Sequence, residues 1–419
     1  MPVSPTTVVV GASIGGVRTA KALRTAGYAG DVILVGDETA LPYDKPPLSK
    51  SLLAGSAAVE DITLLTREQA AAASIQLELG RAATGVDLDA CEVELADGTC
   101  IHFDDLVVAT GARPRPSPWG APPGVHLLRT LGDATALGAA LSRGGSLVVI
   151  GAGFVGAEVA ATARGLGVEP VTLIDPVAVP LSRSLAAGVA RRIGELHNAR
   201  GVHTRFGVGV SGIDHSETGL RVHLDDGSVI EADSAVVGIG AQPNTEWLDG
   251  SGLVLDDGVV CDRFGRAVDS HANVHAVGDV ARWWHPAHEQ FRRVEHWTNA
   301  VDQASCVAHN IVRSDEPRAH IPIDYVWSDQ YDWKIQMVGR TSDDLRQIEV
   351  AGQDPDRCFA VLYSDAAATI AGAVVVNWPR ALIACRRAVM SGATLDEVRG
   401  RLGGLRSRSV EASAAPGLG

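Results

Sequence analysis

Short β-branched apolar runs alternate along this chain with alanine-rich stretches whose apolar positions recur at helical spacing. TTVVV at 6–10 predicts a buried strand, GGVRTAKALRTAG at 15–27 a helix that stops at Gly27, and DVILVGD at 31–37 a second strand. Strand, glycine turn, helix and strand in that order form a βαβ unit, the start of a parallel sheet covered by helices. The order recurs in SLVVIGAGFVGAEVAATARGLGVEPVTLID at 146–175. The two copies start about 140 residues apart, too far for a solenoid repeat, so they predict two separate nucleotide-binding domains.

Between the copies lies RPRPSPWGAPPG at 113–124, a proline-rich domain crossing. A further pair of short strands is predicted in SAVVGIGAQPNT (234–245) and NVHAVGDVARW (273–283). From His320 the pattern changes. WSDQYDWKIQMVGR, CFAVLYSD and TIAGAVVVNW predict an antiparallel meander, followed by a helix in PRALIACRRAVMSG at 379–392. The small, polar tail from 411 to 419 predicts fraying.

Composition narrows the class. At 419 residues the chain has room for two or three domains, and 46% hydrophobic content allows a large core. No apolar run reaches the ~20 residues of a membrane span. The apolar run near the start leads directly into a glycine turn with no basic segment before it, so it reads as a strand and not a leader; a cytoplasmic protein is expected. A net charge of −14 argues against nucleic acid as a partner. The six cysteines (91, 100, 261, 306, 358 and 385) form no C-x-x-C pair and have no metal-ligand spacing, so reduced, mostly buried thiols are expected. His285 and His288 of WWHPAHEQ read as exposed loop histidines, and no metal site is expected.

The chemistry lies first in the two turns, Gly11-Ala-Ser13-Ile-Gly15-Gly16 and Gly151-Ala-Gly153-Phe154-Val155-Gly156. Glycines let the backbone approach a pyrophosphate, and the following helix offers it free amides and a positive dipole end. Asp37 and Asp175 stand where an acid would bind ribose hydroxyls. A carboxylate at 175 repels a 2′-phosphate, and Pro176, Val177 and Ala178 add no positive charge, so NADH is expected over NADPH. Arg183 is the nearest cation. Ser13 in place of a middle glycine makes the first turn the poorer copy. Two dinucleotide sites in one chain suggest FAD at the first and NADH at the second.

The ordered set VVVGASIGG, LPYDKPPLSK, VVATGARPR, LLRTLGDA, VVIGAGFVGAEVAATA, GIGAQPNT, HAVGDVAR, EHWTNAVDQA and VWSDQY resembles the FAD-dependent ferredoxin reductases of bacterial oxygenase systems, the family of putidaredoxin reductase, biphenyl dioxygenase reductases and rubredoxin reductases. The resemblance spans essentially the whole chain. It implies a glutathione-reductase-like α/β fold with two Rossmann-type domains and a C-terminal α+β domain. The implied divisions are a discontinuous FAD-binding domain (1–112 and 245–318), an NAD-binding domain (113–244) and a C-terminal domain (319–410). It further implies that Lys50 of PPLSK lies beside the hydride-accepting flavin nitrogen and that Glu158 is the acid paired with it. Trp297 matches a position next to the ring and Trp327 one near the ring and the docking surface. Arg129, Asp279 and Ala83 match FAD-contacting positions, and Gly240 belongs to the matching GIGAQPNT piece. The helix after Trp297 is expected to start with Thr298 as its N-cap.

The implied activity is NADH:ferredoxin reduction, with FAD taking hydride and electrons leaving singly to a small iron–sulfur protein. Without a redox cysteine pair, the electrons should leave from the flavin edge. The C-terminal arginines (380, 386, 387, 399, 401, 406 and 408) suggest a basic docking face at Arg386 and Arg387, with Lys334 and Arg340. Two rival readings stay open: an NADH oxidase or quinone or small-molecule reductase on the same fold, and an NADH-binding redox-sensor flavoprotein.

Overall fold

The computed structural model describes residues 4–182, 185–216, 219–286 and 288–413, with the backbone alone from 406 onward. The chain divides into two compact units. The first takes residues 1–47, 57–114 and 241–322; the second takes 48–56, 115–240 and 323–419.

The first unit is built on a five-stranded parallel sheet in the order Val274–Ala276, Asp105–Val108, Thr6–Val10, Asp31–Gly36, Ile75–Leu79. Its strands read as near-continuous apolar runs because both faces are covered. Val8, Val9, Leu34, Leu106, Val107 and Val108 are fully buried. Helices Ile14–Thr25 and Trp297–Val312 pack together, and Val17, Ala20 and Leu23 of the first join the same core as Val307 and Ala308 of the second. Smaller sheets in this unit are the antiparallel Ala83–Asp87, Glu92–Leu95 and Cys100–His102, the antiparallel pair Ala112–Pro114 and Ala241–Pro243, and a mixed sheet in which Ala281–His285 runs parallel to Val259–Cys261 and antiparallel to Gln290–Arg293.

The second unit repeats the device. Its parallel sheet runs Val202–Phe206, Val171–Asp175, Leu147–Ile150, Ser234–Val237, Val125–His126. Helix Phe154–Gly165 buries Val159, Ala160 and Ala163 against Leu147, Val149 and Leu173. The short segment 48–56 belongs here as well, anchored by Leu53 in that core.

The C-terminal strands are antiparallel as expected but do not form a simple meander. Their order is Tyr325–Gln330, Trp333–Gly339, Ile370–Val376, Phe359–Ser364, Arg346–Ala351. Burial explains the jump. Phe359–Ser364 and Ile370–Val376 are apolar on both faces and take central places, whereas Arg346–Ala351 carries exposed polar residues and takes an edge. One face of this sheet packs on helices Pro379–Ser391 and Leu395–Ser413, the other on Ala187–Ala199. Gly392 ends the first of these at φ 61°, in the left-handed region glycine adopts freely. The last helix continues through Ser413, past the predicted end of the domain at 410; residues 414–419 of the predicted frayed tail lie outside the described residues. Among the described residues no helix is long and apolar enough to cross a membrane.

Candidate functional site

In each parallel sheet the glycine turn, the acid and a third loop all lie at the carboxyl ends of the strands, where open α/β sheets bind ligands. In the first unit these are Gly11 to Gly16 after Thr6–Val10, Asp37 after Asp31–Gly36, and Asp279 after Val274–Ala276. In the second they are Gly151 to Gly156, Asp175, and Gly240 after Ser234–Val237.

The turns are shaped for a closely approaching ligand. A Cβ on Gly11 or Gly151 would overlap the carbonyl oxygen of Ala109 or Gly238, and both residues have positive φ (117° and 100°). A Cβ on Gly16 or Gly156 would overlap the carbonyl oxygen of Gly11 or Gly151, so these two are set by packing of the turn on its own helix. Gly153 differs: a Cβ there would meet nothing within 4 Å. The protein's own packing therefore does not demand glycine at 153, but a pyrophosphate lying against the backbone would. The N-caps Ser13 and Gly153 make no side-chain cap to the first-turn amides, which remain available to an anion. Asp175 accepts hydrogen bonds from the backbone N–H of Ala152 and of Val177, both at 2.8 Å, which fixes its carboxylate at the strand end. Asp37 is exposed and accepts from the N–H of Glu38 at 3.0 Å. These donor and acceptor sets fit two dinucleotides.

The second feature is a buried carboxylate. Glu158 lies on the Phe154–Gly165 helix with 4% exposure. One oxygen accepts from the Lys50 ammonium and the Ser49 hydroxyl, each at 2.6 Å; the other accepts from the Ser328 hydroxyl at 2.7 Å. The prolines of the Pro46–Ser49 turn stiffen the approach to Lys50, and the Thr162 hydroxyl donates to the Ser49 carbonyl at 2.8 Å, clamping that segment on the helix. A buried charge is tolerated when paired and fully hydrogen-bonded, as here. The Lys50 side chain keeps 18% exposure, so its ammonium is fixed without being sealed from a ligand.

Trp297 is the first residue of helix Trp297–Val312; its indole N–H donates to Asp44 Oδ1 at 2.8 Å and the Arg18 guanidinium lies 5.7 Å from its ring centroid. The N-cap is His296 and not Thr298. His296 already has extended backbone, so the cap lies two residues earlier than the threonine suggested. The Gly278 N–H donates to buried Gln303 of this helix at 2.8 Å, which holds the loop bearing half-buried Asp279. Ala83 opens the strand Ala83–Asp87, and Arg129 precedes the Thr130–Asp133 capping box. Phe154 packs inward beside the C-terminal sheet core, whereas Val155 is exposed. Arg183 lies outside the described residues.

His285 corrects a sequence expectation: it is 4% exposed, on the strand Ala281–His285, whose inward positions are 281, 283 and 285. Only His288 lies in the following turn, its ring 4.5 Å from that of His285. Of the expected docking cations, Lys334 pairs with Asp329 at 3.7 Å and Arg340 with Asp344 at 3.4 Å. Arg386 and Arg387 are exposed, Arg386 lying over the Tyr325 ring at 4.9 Å, and Tyr325 stacks on Trp327 at 6.1 Å. Arg406 and Arg408 have no described side chains. Sequence reasoning missed Ser49, Ser328, Asp44 and Gln303. Ser49 and Ser328 stand in the quoted PPLSK and VWSDQY pieces, but a serine carries no local signal for a partner over a hundred residues away.

The chain matches the pyridine nucleotide-disulphide oxidoreductase family over residues 5–304 and the reductase C-terminal family over 325–400. It is 37% identical to the rhodocoxin reductase of Rhodococcus erythropolis across 91% of this chain and 88% of that one. It is 38% identical to the putidaredoxin reductase of Pseudomonas putida across 85% of each. Among solved structures it is similar to a ferredoxin reductase from Rhodopseudomonas palustris (TM-score 0.88, 30% identity, 94% of this chain and 97% of that one). It is also similar to the covalent putidaredoxin reductase–putidaredoxin complex (TM-score 0.85, 34% identity, 93% of each). The fold is the expected α/β class, with Rossmann-type parallel sheets and a C-terminal α+β portion.

Proposed function

This chain belongs to the pyridine nucleotide-disulphide oxidoreductase family, and on that premise we propose that it is an NADH-dependent flavoprotein reductase that feeds electrons to a small iron–sulfur ferredoxin serving an oxygenase or haem monooxygenase. The observation that carries the reading is the buried Lys50–Glu158 pair in a chain with no redox cysteine pair. FAD, when bound, supplies a carrier that accepts hydride from NADH and releases electrons one at a time.

The residues divide the work. In the first unit Gly11, Ser13, Gly15 and Gly16 receive the FAD pyrophosphate, Asp37 the ribose, and Asp279 the ribityl–pyrophosphate region, with Ala83 and Trp297 as further contacts. In the second, Gly151, Gly153 and Gly156 receive the NADH pyrophosphate. Asp175 accepts from its ribose hydroxyls and disfavours a 2′-phosphate. Arg129 and Gly240 are assigned as additional cofactor contacts. Lys50 presents a fixed positive charge where electron density accumulates, and Glu158 pairs with it and aims it. The FAD-binding, NAD-binding and C-terminal domains are assigned to 1–112 with 245–318, to 113–244 and to 319–410.

The partner is reached through Arg386 and Arg387 on the Pro379–Ser391 helix, next to the Tyr325–Trp327 stack. Local positive charge there offsets the overall −14 toward an acidic partner. The similar Rhodopseudomonas palustris protein is, by name, a ferredoxin reductase, which supports this partner class. Use of NADH supports a cytoplasmic location. The test is cytochrome c reduction by the purified, FAD-loaded protein and NADH, with and without an iron–sulfur ferredoxin. Strong stimulation by ferredoxin is expected; equal rates, or rapid NADH consumption by oxygen alone, would reject the proposal.

A further inference from the structure

Glu158 is the end point of a longer chain of buried polar groups that the hydride step does not by itself require. Ser328 and Gln330 occupy alternate positions of the strand Tyr325–Gln330, so both point to the same side, and both are fully buried. Gln330 Nε2 donates to Ser328 Oγ at 3.1 Å, and Ser328 in turn donates to Glu158 Oε1 at 2.7 Å. That leaves Gln330 Oε1 facing His197 Nε2 at 3.0 Å, while His197 Nδ1 meets the Tyr331 hydroxyl at 2.9 Å. His197 is 1% exposed on helix Ala187–Ala199.

The donor directions are fixed by chemistry. An amide oxygen only accepts, so Nε2 of His197 carries the proton, and bare Nδ1 accepts from the Tyr331 hydroxyl. Burial lowers the His197 pKa to about 4 and raises that of Tyr331, so the imidazole stays neutral and the phenol protonated. Every donor from Tyr331 to Ser328 therefore points toward the Glu158 carboxylate. The outer end is tethered: Asp332, next to Tyr331, is ion-paired with Arg200 and Arg357.

We propose that Tyr331, His197, Gln330 and Ser328 form a one-way hydrogen-bond array that positions the Glu158 carboxylate and, through it, the Lys50 ammonium. They are positioning residues, not catalytic ones. An amide link cannot pass a proton onward as a hydroxyl or water can, so the array orients and polarises; it does not conduct. This inference rests on the reading of Lys50 and Glu158 as the pair serving the flavin.

Two measurements test it. In protein labelled with 15N-histidine, with His197→Asn used for assignment, His197 is expected as the neutral Nε2–H tautomer from pH 8 down to pH ~5. Its signals should move in Ser328→Ala, although residue 328 does not touch the ring. An Nδ1–H tautomer, or signals indifferent to Ser328→Ala, overturns the array. In stopped flow, Ser328→Ala should slow flavin reduction by NADH roughly tenfold, the scale of one hydrogen bond to a charged group, with NADH affinity little changed. Ser328→Thr should restore most of the rate, and adding His197→Phe to Ser328→Ala should slow it no further. A slow Lys50→Met beside a full-rate Ser328→Ala overturns this inference alone. A full-rate Lys50→Met overturns the underlying reading and the inference with it.

Discussion

Removing the Glu158 charge tests the buried pair most directly. At 2.6 Å and an effective dielectric of ~20, the Coulomb attraction between Lys50 and Glu158 is about 6 kcal/mol before desolvation. Desolvation of a carboxylate at 4% exposure and an ammonium whose side chain is 18% exposed cancels part of it. Glu158→Gln removes the carboxylate charge from beside the ammonium and presents an amide NH2 to either the Ser49 or the Ser328 hydroxyl, which had been donating to an oxygen. A loss of about 3 kcal/mol is expected, within the range for breaking a buried pair. The assay is urea unfolding followed by tryptophan fluorescence for the wild type, Glu158→Gln, Lys50→Met and the double variant. The cycle should give a coupling of about 2–3 kcal/mol that changes little on raising the salt, because a buried pair is poorly screened. A coupling below ~0.5 kcal/mol, or one that salt removes, is the signature of an exposed pair and would refute the reasoning.

Other outcomes follow from the same geometry. Asp175→Asn should raise the KM for NADH about tenfold and narrow its advantage over NADPH; an unchanged ratio of the two kcat/KM values would count against a ribose contact. Arg386→Gln with Arg387→Gln should lower ferredoxin-dependent turnover and its salt sensitivity while NADH–ferricyanide activity holds; a parallel fall in both activities would place these residues elsewhere in the machinery. Burial, and then the neighbouring Asp104 charge, raise the Asp105 carboxyl from 3.8 to about 6. The folded state therefore holds this proton more tightly than the unfolded one, and stability falls as pH rises through that window. Asp105→Asn should stabilise the protein at pH 7 by up to about 3 kcal/mol, with the gain vanishing near pH 4 in denaturant titrations; a loss at pH 7 would contradict the assignment.

Sequence carried the fold where the signal is local. A glycine turn is read from residues within six positions, and Asp37 and Asp175 follow from the length of one helix and one strand. The strand order of the C-terminal sheet is not local. It depends on which strands can be buried on both faces, and the alternation of a single strand does not reveal its neighbours. The same holds for His285. The loop-like WWHPAHEQ hides a strand whose inward positions, Ala281, Trp283 and His285, appear only once Gln290–Arg293 pairs beside it. The shift of the N-cap from Thr298 to His296 is a smaller failure of the same kind, since residue type suggested a cap that backbone conformation assigns elsewhere.

Glu158 shows why a site of this type is hard to read upward from residues and yet telling once seen. Its helix is otherwise made of Val, Ala and Gly on the buried side, and a methionine or leucine would pack there without any partner. Folding gains little from such an ion pair, because an apolar pair of similar volume is often as stable or more so. The structure nevertheless surrounds this one carboxylate with Ser49, Lys50 and Ser328, drawn from segments 109, 108 and 170 residues away, and backs Ser328 with Gln330 and His197. Five polar groups committed to one charge are more than solubility or packing requires. What the arrangement does supply is an ammonium group whose position varies little, and that is what a nearby ring taking up electron pairs would need from the protein.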